Sequence, residues 1–218
     1  MLEQVALVVH VMGWVFWLGT DLGVFIACRF AERGSLSVET RLTLLEVGMI
    51  LDRLPRLCVP LVWGSGVVLS SQWGYEFIPV SYGLAIAAIW LIATWLIIFQ
   101  VPGTRKHRLA MWVQTLFYGG VIVVGMGGGA TWLLSTGELP LWLALKWYAY
   151  VIIAISALTL ERYFVPVVLG FQSLASEGAS DETNSQISKD LVPVYVAVLC
   201  IYAGTVLAGI SGLLKPGM

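Results

Sequence analysis

Six runs of apolar residues, each long enough to cross a lipid bilayer, constrain the fold of this chain more than any other feature. A membrane-spanning helix needs about 20 apolar residues. The runs lie at about 4–28, 42–71, 83–100, 113–135, 141–170 and 190–213. None of them has the alternating pattern of a membrane β-strand. The sequence therefore predicts an all-α, polytopic membrane bundle of six transmembrane helices, with residues 1–218 in a single domain.

The composition excludes the common classes of soluble protein. Of the 218 residues, 59% are hydrophobic and 11% are charged, whereas soluble domains average about 45–50% apolar and about 25% charged residues. The formal net charge of −1 leaves no basic surface for a polyanion. We therefore expect the lipid bilayer as the surrounding partner, and no binding of nucleic acid.

The basic residues of the connections concentrate in every second loop. They are Arg29, Arg33 and Arg41 in the first loop, Arg105, Lys106 and Arg108 in the third, and Lys189 in the fifth. By the positive-inside rule, loops 29–41, 101–112 and 171–189 are predicted in the cytoplasm, with both termini outside a bacterial inner membrane. Because the loop at 171–189 is rich in Ser, Glu and Asp, it is predicted to be a flexible cytoplasmic linker.

The first apolar run carries a stripe of polar and aromatic residues. His10, Trp14, Trp17 and Asp21 follow the spacing of one helical face. Ionisable residues inside a membrane are costly and often functional. Two interpretations of His10 are open: it forms a hydrogen bond to a neighbouring helix, or it is a ligand to iron or copper. Trp14 and Trp17 would then lie beside the bound group.

Two further residues are candidates for the same site. Lys146, near the start of the fifth run, is predicted at nearly the depth of His10. Its side chain either extends to the lipid headgroups, or serves a cofactor as a propionate partner or as a neutral amine ligand. Met126 is a candidate thioether ligand in a glycine-rich stretch, although helix packing alone also explains those glycines. The glycines are Gly119, Gly120, Gly125, Gly127, Gly128 and Gly129.

A second polar layer is predicted nearer the cytoplasm. Asp21, Arg53, Arg56 and Glu161 come from three different runs and lie at similar depth. Charges at this depth should pair, so structural ion pairs are expected, with Asp52 pointing elsewhere. The alternative is an anion site in which Arg53 and Arg56 bind carboxylates.

Several short motifs resemble the HemJ family, the membrane-bound protoporphyrinogen oxidases. The matching features are His10 with Trp17 and Gly19, then Trp63, Gly64 and Gly66, then Trp142 with Lys146, and finally Val192-Pro193 with the terminal LLKP. The resemblance implies haem b, held with the help of His10 and Lys146. It also implies redox activity, as an oxidoreductase or electron carrier, with a porphyrinogen or a quinone as the reaction partner. Thr20 to Phe30 stand where the family has an aromatic-Leu-Pro-Arg stretch and a second histidine.

Two alternative functions remain open from the sequence. The copper-resistance D family also begins with a helix that carries a His and a Trp-x-Gly. A copper-handling protein would use soft ligands, and the candidates are His10, Met12, Met49 and Met126. The other alternative is a non-catalytic subunit or assembly factor of a larger membrane complex, or a homo-oligomer, in which the tryptophans serve packing.

Overall fold

Helices occupy nearly all of the chain in the computed structural model, which describes residues 1–101 and 103–215, without the side chains at 128, 130, 132 and 133. Their bounds are α1 (Leu2–Ala31), α2 (Val38–Leu51), α3 (Arg53–Gln72), α4 (Val80–Phe99), α5 (Arg105–Val124), α6 (Ala130–Thr136), α7 (Leu141–Glu177) and α8 (Asp181–Leu214). One π-helical turn, Gly125–Gly129, joins α5 to α6. Six stretches within the described chain are long and apolar enough to cross a membrane. The predicted all-α fold with six transmembrane helices is thereby confirmed.

The second apolar run forms two helices in place of the one that was predicted. Pro55 has no N–H to donate to the carbonyl of Leu51, and a proline ring crowds the carbonyl four residues earlier. The helix is therefore interrupted at Asp52, whose backbone nevertheless stays near helical values (φ −60°, ψ −18°). Together α2 and α3 form the span Val38–Gln72.

The segment at 171–189 is helical except at residues 178–180, so the prediction of a flexible linker is wrong. Helix α7 continues to Glu177, and α8 begins at Asp181 after Ser180, whose side chain caps it. Leu174 and Ile187 are fully buried in this hairpin. The polar composition of the segment hid an apolar stripe at helical spacing, and burial of that stripe stabilises the adjoining ends of both helices.

The packing follows the chain order. Helices α7 and α8 pack along each other, while α1 packs against α3, and α3 to α5 follow one another around the bundle. The central core contains Trp17, Val59, Trp90, Tyr118 and Ile153. Many other large apolar side chains are exposed, as expected for a surface that faces lipid.

Two sets of contacts identify the ends of the bundle. At one end, here called the terminal end, the Lys215 ammonium lies 4.8 Å from the ring centre of Trp73 and 5.9 Å from that of Trp142. At the other, here called the loop end, Arg41 donates a hydrogen bond to Asn184. The polar layers predicted from the sequence lie between these two ends.

Candidate functional site

His10 is held by helix α3, and this contact determines which ring nitrogen carries the proton. Its Nδ1 lies 2.9 Å from the carbonyl oxygen of Val62 and 3.2 Å from Oγ of Ser65. A carbonyl oxygen can only accept a hydrogen bond, so Nδ1 is the donor, and in the neutral ring Nε2 carries the lone pair. Within the described residues, Nε2 has no hydrogen-bond partner. The ring therefore offers one free, oriented nitrogen ligand.

Two glycines allow this close contact of α1 and α3. A Cβ atom on Gly13 would lie 2.8 Å from Cγ2 of Val62, and a Cβ atom on Gly66 would lie 3.3 Å from Cε1 of His10. Gly13 thus lets the two helices approach, and Gly66 leaves space for the imidazole ring. The orientation of His10 depends on both.

Lys146 lies within electrostatic reach of His10. Its Nζ is 5.8 Å from the ring centre of Trp142, and a Cβ atom on Gly212 would lie 2.7 Å from Nζ. Neither Lys146 nor Lys215, which also interacts with it electrostatically, forms an ion pair in the part of the chain that the structure describes. Lys146 and Lys215 thus lie in one region at the terminal end, within electrostatic reach of His10.

The other predicted cofactor residues have different surroundings. Trp14 donates a hydrogen bond from Nε1 to the carbonyl oxygen of Thr205, 3.0 Å away on α8, and Trp17 is buried in the core. Met126 is 66% exposed, on the π-helical turn. The role of Met126 as a thioether ligand stays a prediction.

The soft ligands expected for copper do not converge. Met12 and Met49 are exposed, like Met126. The described residues also contain no group of three or more His, Cys, Asp or Glu side chains that could hold a metal ion. Because copper sites need several such ligands around one point, the structure gives the copper alternative no supporting geometry.

The second polar layer surrounds a cavity of about 50 Å³, here called the inner cavity. Its polar lining consists of Asp21, Asp52, Arg56, Tyr118 and Glu161. Arg56 donates a hydrogen bond from Nε to Oδ2 of Asp52, four residues earlier, and forms an ion pair with it.

A chain of hydrogen bonds leads away from the inner cavity into the core. Glu161 accepts a hydrogen bond from Nε2 of Gln114, and Gln114 accepts one from Thr94, at 3.4 Å. Gln114 and Thr94 are both buried. One oxygen of the Glu161 carboxyl is thereby held in a fixed orientation.

The ion pairs in this layer differ from the predicted ones. Arg53 is exposed, with its guanidinium 5.6 Å from the ring centre of Phe99, whereas Asp52 belongs to the cavity. Asp21 and Glu161 form no ion pair among the described residues; they interact with Arg56 only at longer range. Asp52 and Arg56 are four residues apart, the ordinary spacing of neighbours on one helix face, and the predicted stripe passed over this pair.

Arg41 is a buried residue that the sequence analysis assigned to a solvated loop. It is completely buried, donates a hydrogen bond from Nε to the carbonyl oxygen of Ala31 (2.7 Å), and another from Nη1 to Oδ1 of Asn184 (2.7 Å). A cation bonded to the last carbonyls of a helix is favourable. Arg41 thus connects the end of α1 to the start of α8. In the sequence, the sign that Arg41 is helical is its position four residues after Ser37, a residue type that commonly caps a helix.

Comparisons with protein-family models, with curated proteins and with solved structures find no match for this chain. The resemblance to the HemJ family therefore remains a prediction from the motifs around His10, Trp63 and Lys146. Function has to be inferred from the geometry of the polar residues themselves.

Proposed function

We propose that this chain is a haem b-binding integral membrane protein with redox activity of the HemJ type, in which His10 ligates the iron. The observation that carries the proposal is the hydrogen bond from Nδ1 of His10 to the carbonyl oxygen of Val62. A histidine that ligates a metal usually donates its other ring N–H to a carbonyl or carboxylate, which fixes both tautomer and ring orientation. His10 has this arrangement, with Nε2 as the free donor atom.

The surroundings of His10 suit the carboxylate groups of haem. Lys146 and Lys215 bring two ammonium groups to one region, and neither has an ion-pair partner among the described residues. Ammonium groups in this position would hold the propionates. Haem, when bound, supplies one-electron transfer between the ferric and ferrous states. The chain itself orients the imidazole and provides the positive charge.

The proposed location is a bacterial inner membrane, with both termini on the periplasmic side. The distribution of Lys and Arg supports this orientation, and it puts His10 and Lys146 near the periplasmic surface. The exposed apolar side chains would allow a membrane-soluble partner, such as a quinone or a porphyrinogen, to approach from the bilayer.

The test is the visible spectrum of the purified protein from cells that are supplied with haem precursors. We expect a Soret band and reduced α and β bands in the wild type. The variant His10→Ala should lose them, while the control His107→Ala, in the basic first turn of α5, should keep the wild-type spectrum. A colourless wild-type protein, or a His10→Ala variant with an unchanged spectrum, would exclude the proposal. Stoichiometric copper without a Soret band would favour the copper alternative.

A further inference from the structure

The inner cavity contains more carboxyl groups than cations. Asp21, Asp52 and Glu161 line it, and Arg56 is the one cation in its lining. Arg56 is paired with Asp52, and Arg53, the other candidate, lies outside against Phe99. Asp21 and Glu161 therefore have no cation of their own among the described residues. Two uncompensated carboxylates inside a membrane would be costly, so each needs a proton or a bound cation.

Two polar groups at the cavity lack partners. The carboxyl of Asp21 forms no hydrogen bond within the described chain, and Tyr202 bonds only to its backbone carbonyl. The hydroxyl of Tyr118 also has no hydrogen-bond partner there, although this side chain is 8% exposed and interacts electrostatically with Glu161 and Arg56. Neither group is among the side-chain atoms that are fully buried without a partner, so both open onto the cavity and can bond to a molecule inside it.

The size of the cavity fits water. Its volume is about 50 Å³, and one water needs roughly 10–15 Å³ of such space together with two to four polar partners. About three waters could therefore lie between the Asp21 carboxyl, the Tyr118 hydroxyl and Glu161. Because the described residues contain no group of three or more acidic or other metal-ligating side chains at metal-binding distances, protons rather than a metal ion are the expected counter-charge.

We propose that the inner cavity is a proton-binding site, in which Asp21 and Glu161 carry exchangeable protons that pass between them through water held by Tyr118. A transfer follows when one of the two groups is transiently ionised: the carboxyl that is still protonated gives its proton to a water, and that water gives a proton to the ionised carboxylate. Charge is conserved, and Asp52 stays ionised beside Arg56. The site is separate from the proposed haem site, since Asp21 lies about 16 Å further along α1 than His10 at ~1.5 Å per residue.

The titratable and charged groups around the site come from five helical elements. They are Asp21 on α1, Asp52 and Arg56 at the junction of α2 and α3, Tyr118 on α5, Glu161 on α7, and Tyr202 on α8. Only Asp21 and Glu161 among them are carboxyls without a cation partner. These two groups are therefore the ones that have to be neutralised.

Infrared spectroscopy of the protein in lipid nanodiscs at neutral pH tests the proposal. We expect a protonated-carboxyl C=O band that shifts in D₂O. Asp21→Asn should remove about half of it, and the control Glu39→Gln, an exposed acid in the first turn of α2, should leave it unchanged. Tyr118→Phe should keep the band but slow its exchange in D₂O by a factor of about two or more.

The infrared spectrum of the wild-type protein tests the proposal even if the Asp21→Asn variant fails to fold. Absence of a protonated-carboxyl band at neutral pH would overturn the proposal, and stabilisation by Na⁺ in that case would indicate a bound cation. A band that persists in full in a folded Asp21→Asn variant would also overturn it. The measurement needs no haem, so its result is independent of the visible spectrum.

Discussion

The Nδ1 atom of His10 lies 2.9 Å from the carbonyl oxygen of Val62, a residue 52 positions away in the next membrane-spanning segment. In a regular helix, the backbone donor to this carbonyl is the N–H of residue 66, which is a glycine here, and the Ser65 hydroxyl also lies within hydrogen-bond distance of it. The absence of a side chain at residue 66 leaves the carbonyl accessible to the imidazole. One packing contact between α1 and α3 thus fixes the position, the orientation and the tautomer of the candidate ligand.

A methyl group at residue 66 should therefore disturb the cofactor. The added Cβ of Gly66→Ala would lie 3.3 Å from Cε1 of His10 and push the ring away. Loss of support for a ligating histidine typically weakens binding by about 10–100-fold, so haem retention should fall by about tenfold. Titration of the apoprotein with haem measures the change. Gly19→Ala is the matched control, since its Cβ would have no neighbour within 4 Å; equal losses in both variants would contradict the assigned role of residue 66.

Arg56→Ala should destabilise the bundle, because it leaves Asp52 without its cation. The two side chains are 29% and 16% exposed, so the cost should lie below that of a fully buried pair, on the order of 2 kcal/mol. The midpoint of thermal unfolding, followed by tryptophan fluorescence in detergent, should fall for Arg56→Ala. Arg53→Ala, which removes an exposed guanidinium in the same helical turn, should unfold near the wild-type temperature. A larger effect at Arg53 would show that the pairing is assigned to the wrong residue.

Arg41→Ala should also be strongly destabilising. The change leaves the carbonyl of Ala31 and the amide oxygen of Asn184 without their donor, at a cost of about 3 kcal/mol for two hydrogen bonds to a charged group. Arg33→Ala is the control, because Arg33 is exposed and contacts only the ring of Phe30. Chemical denaturation in micelles compares the two. Equal denaturation midpoints for the two variants would contradict the assignment of Arg41 as a connector of α1 and α8.

Gly209→Ala should separate α1 from α8. Its Cβ would lie 2.5 Å from Cζ2 of Trp14, so the indole would have to move and lose its hydrogen bond to Thr205. Overpacking of this kind costs about 1–3 kcal/mol. Gly119→Ala meets no atom within 4 Å and should be neutral or slightly stabilising, because alanine favours a helix over glycine by up to about 1 kcal/mol. Thermal unfolding of both variants gives the comparison.

The orientation in the membrane is tested by cysteine labelling of intact cells. Ser185→Cys lies at the exposed start of α8, and Glu138→Cys lies between α6 and α7 at the opposite end of the bundle. With the termini outside, an impermeant thiol reagent should label residue 138 in intact cells and residue 185 only after the membrane is opened. The reverse pattern would invert the proposed topology. Labelling of the unsubstituted protein measures the background from its own three cysteines.

The sequence alone determined the fold class and the approximate positions of the spans. Apolar runs of bilayer length without a β-strand pattern form helices, because the backbone polar groups inside lipid must be hydrogen-bonded within the segment. The sequence also indicated His10 and Lys146 as residues of one depth, since distance along a helix follows from residue number. It did not reveal the helical hairpin at 171–189, where a polar composition hid the buried Leu174 and Ile187.

Only the tertiary structure decided which polar groups meet. The partner of Nδ1 of His10 is a backbone carbonyl, and no residue type in the sequence indicates a carbonyl that is accessible in a helix. Arg56 pairs with Asp52 at the i,i+4 spacing, and Arg53 lies outside the polar layer against Phe99, so the predicted stripe included the wrong arginine. Rotation of each helix about its own axis, and the small bends between helices, depend on side-chain packing with neighbours distant in sequence. A local sequence pattern cannot contain that information.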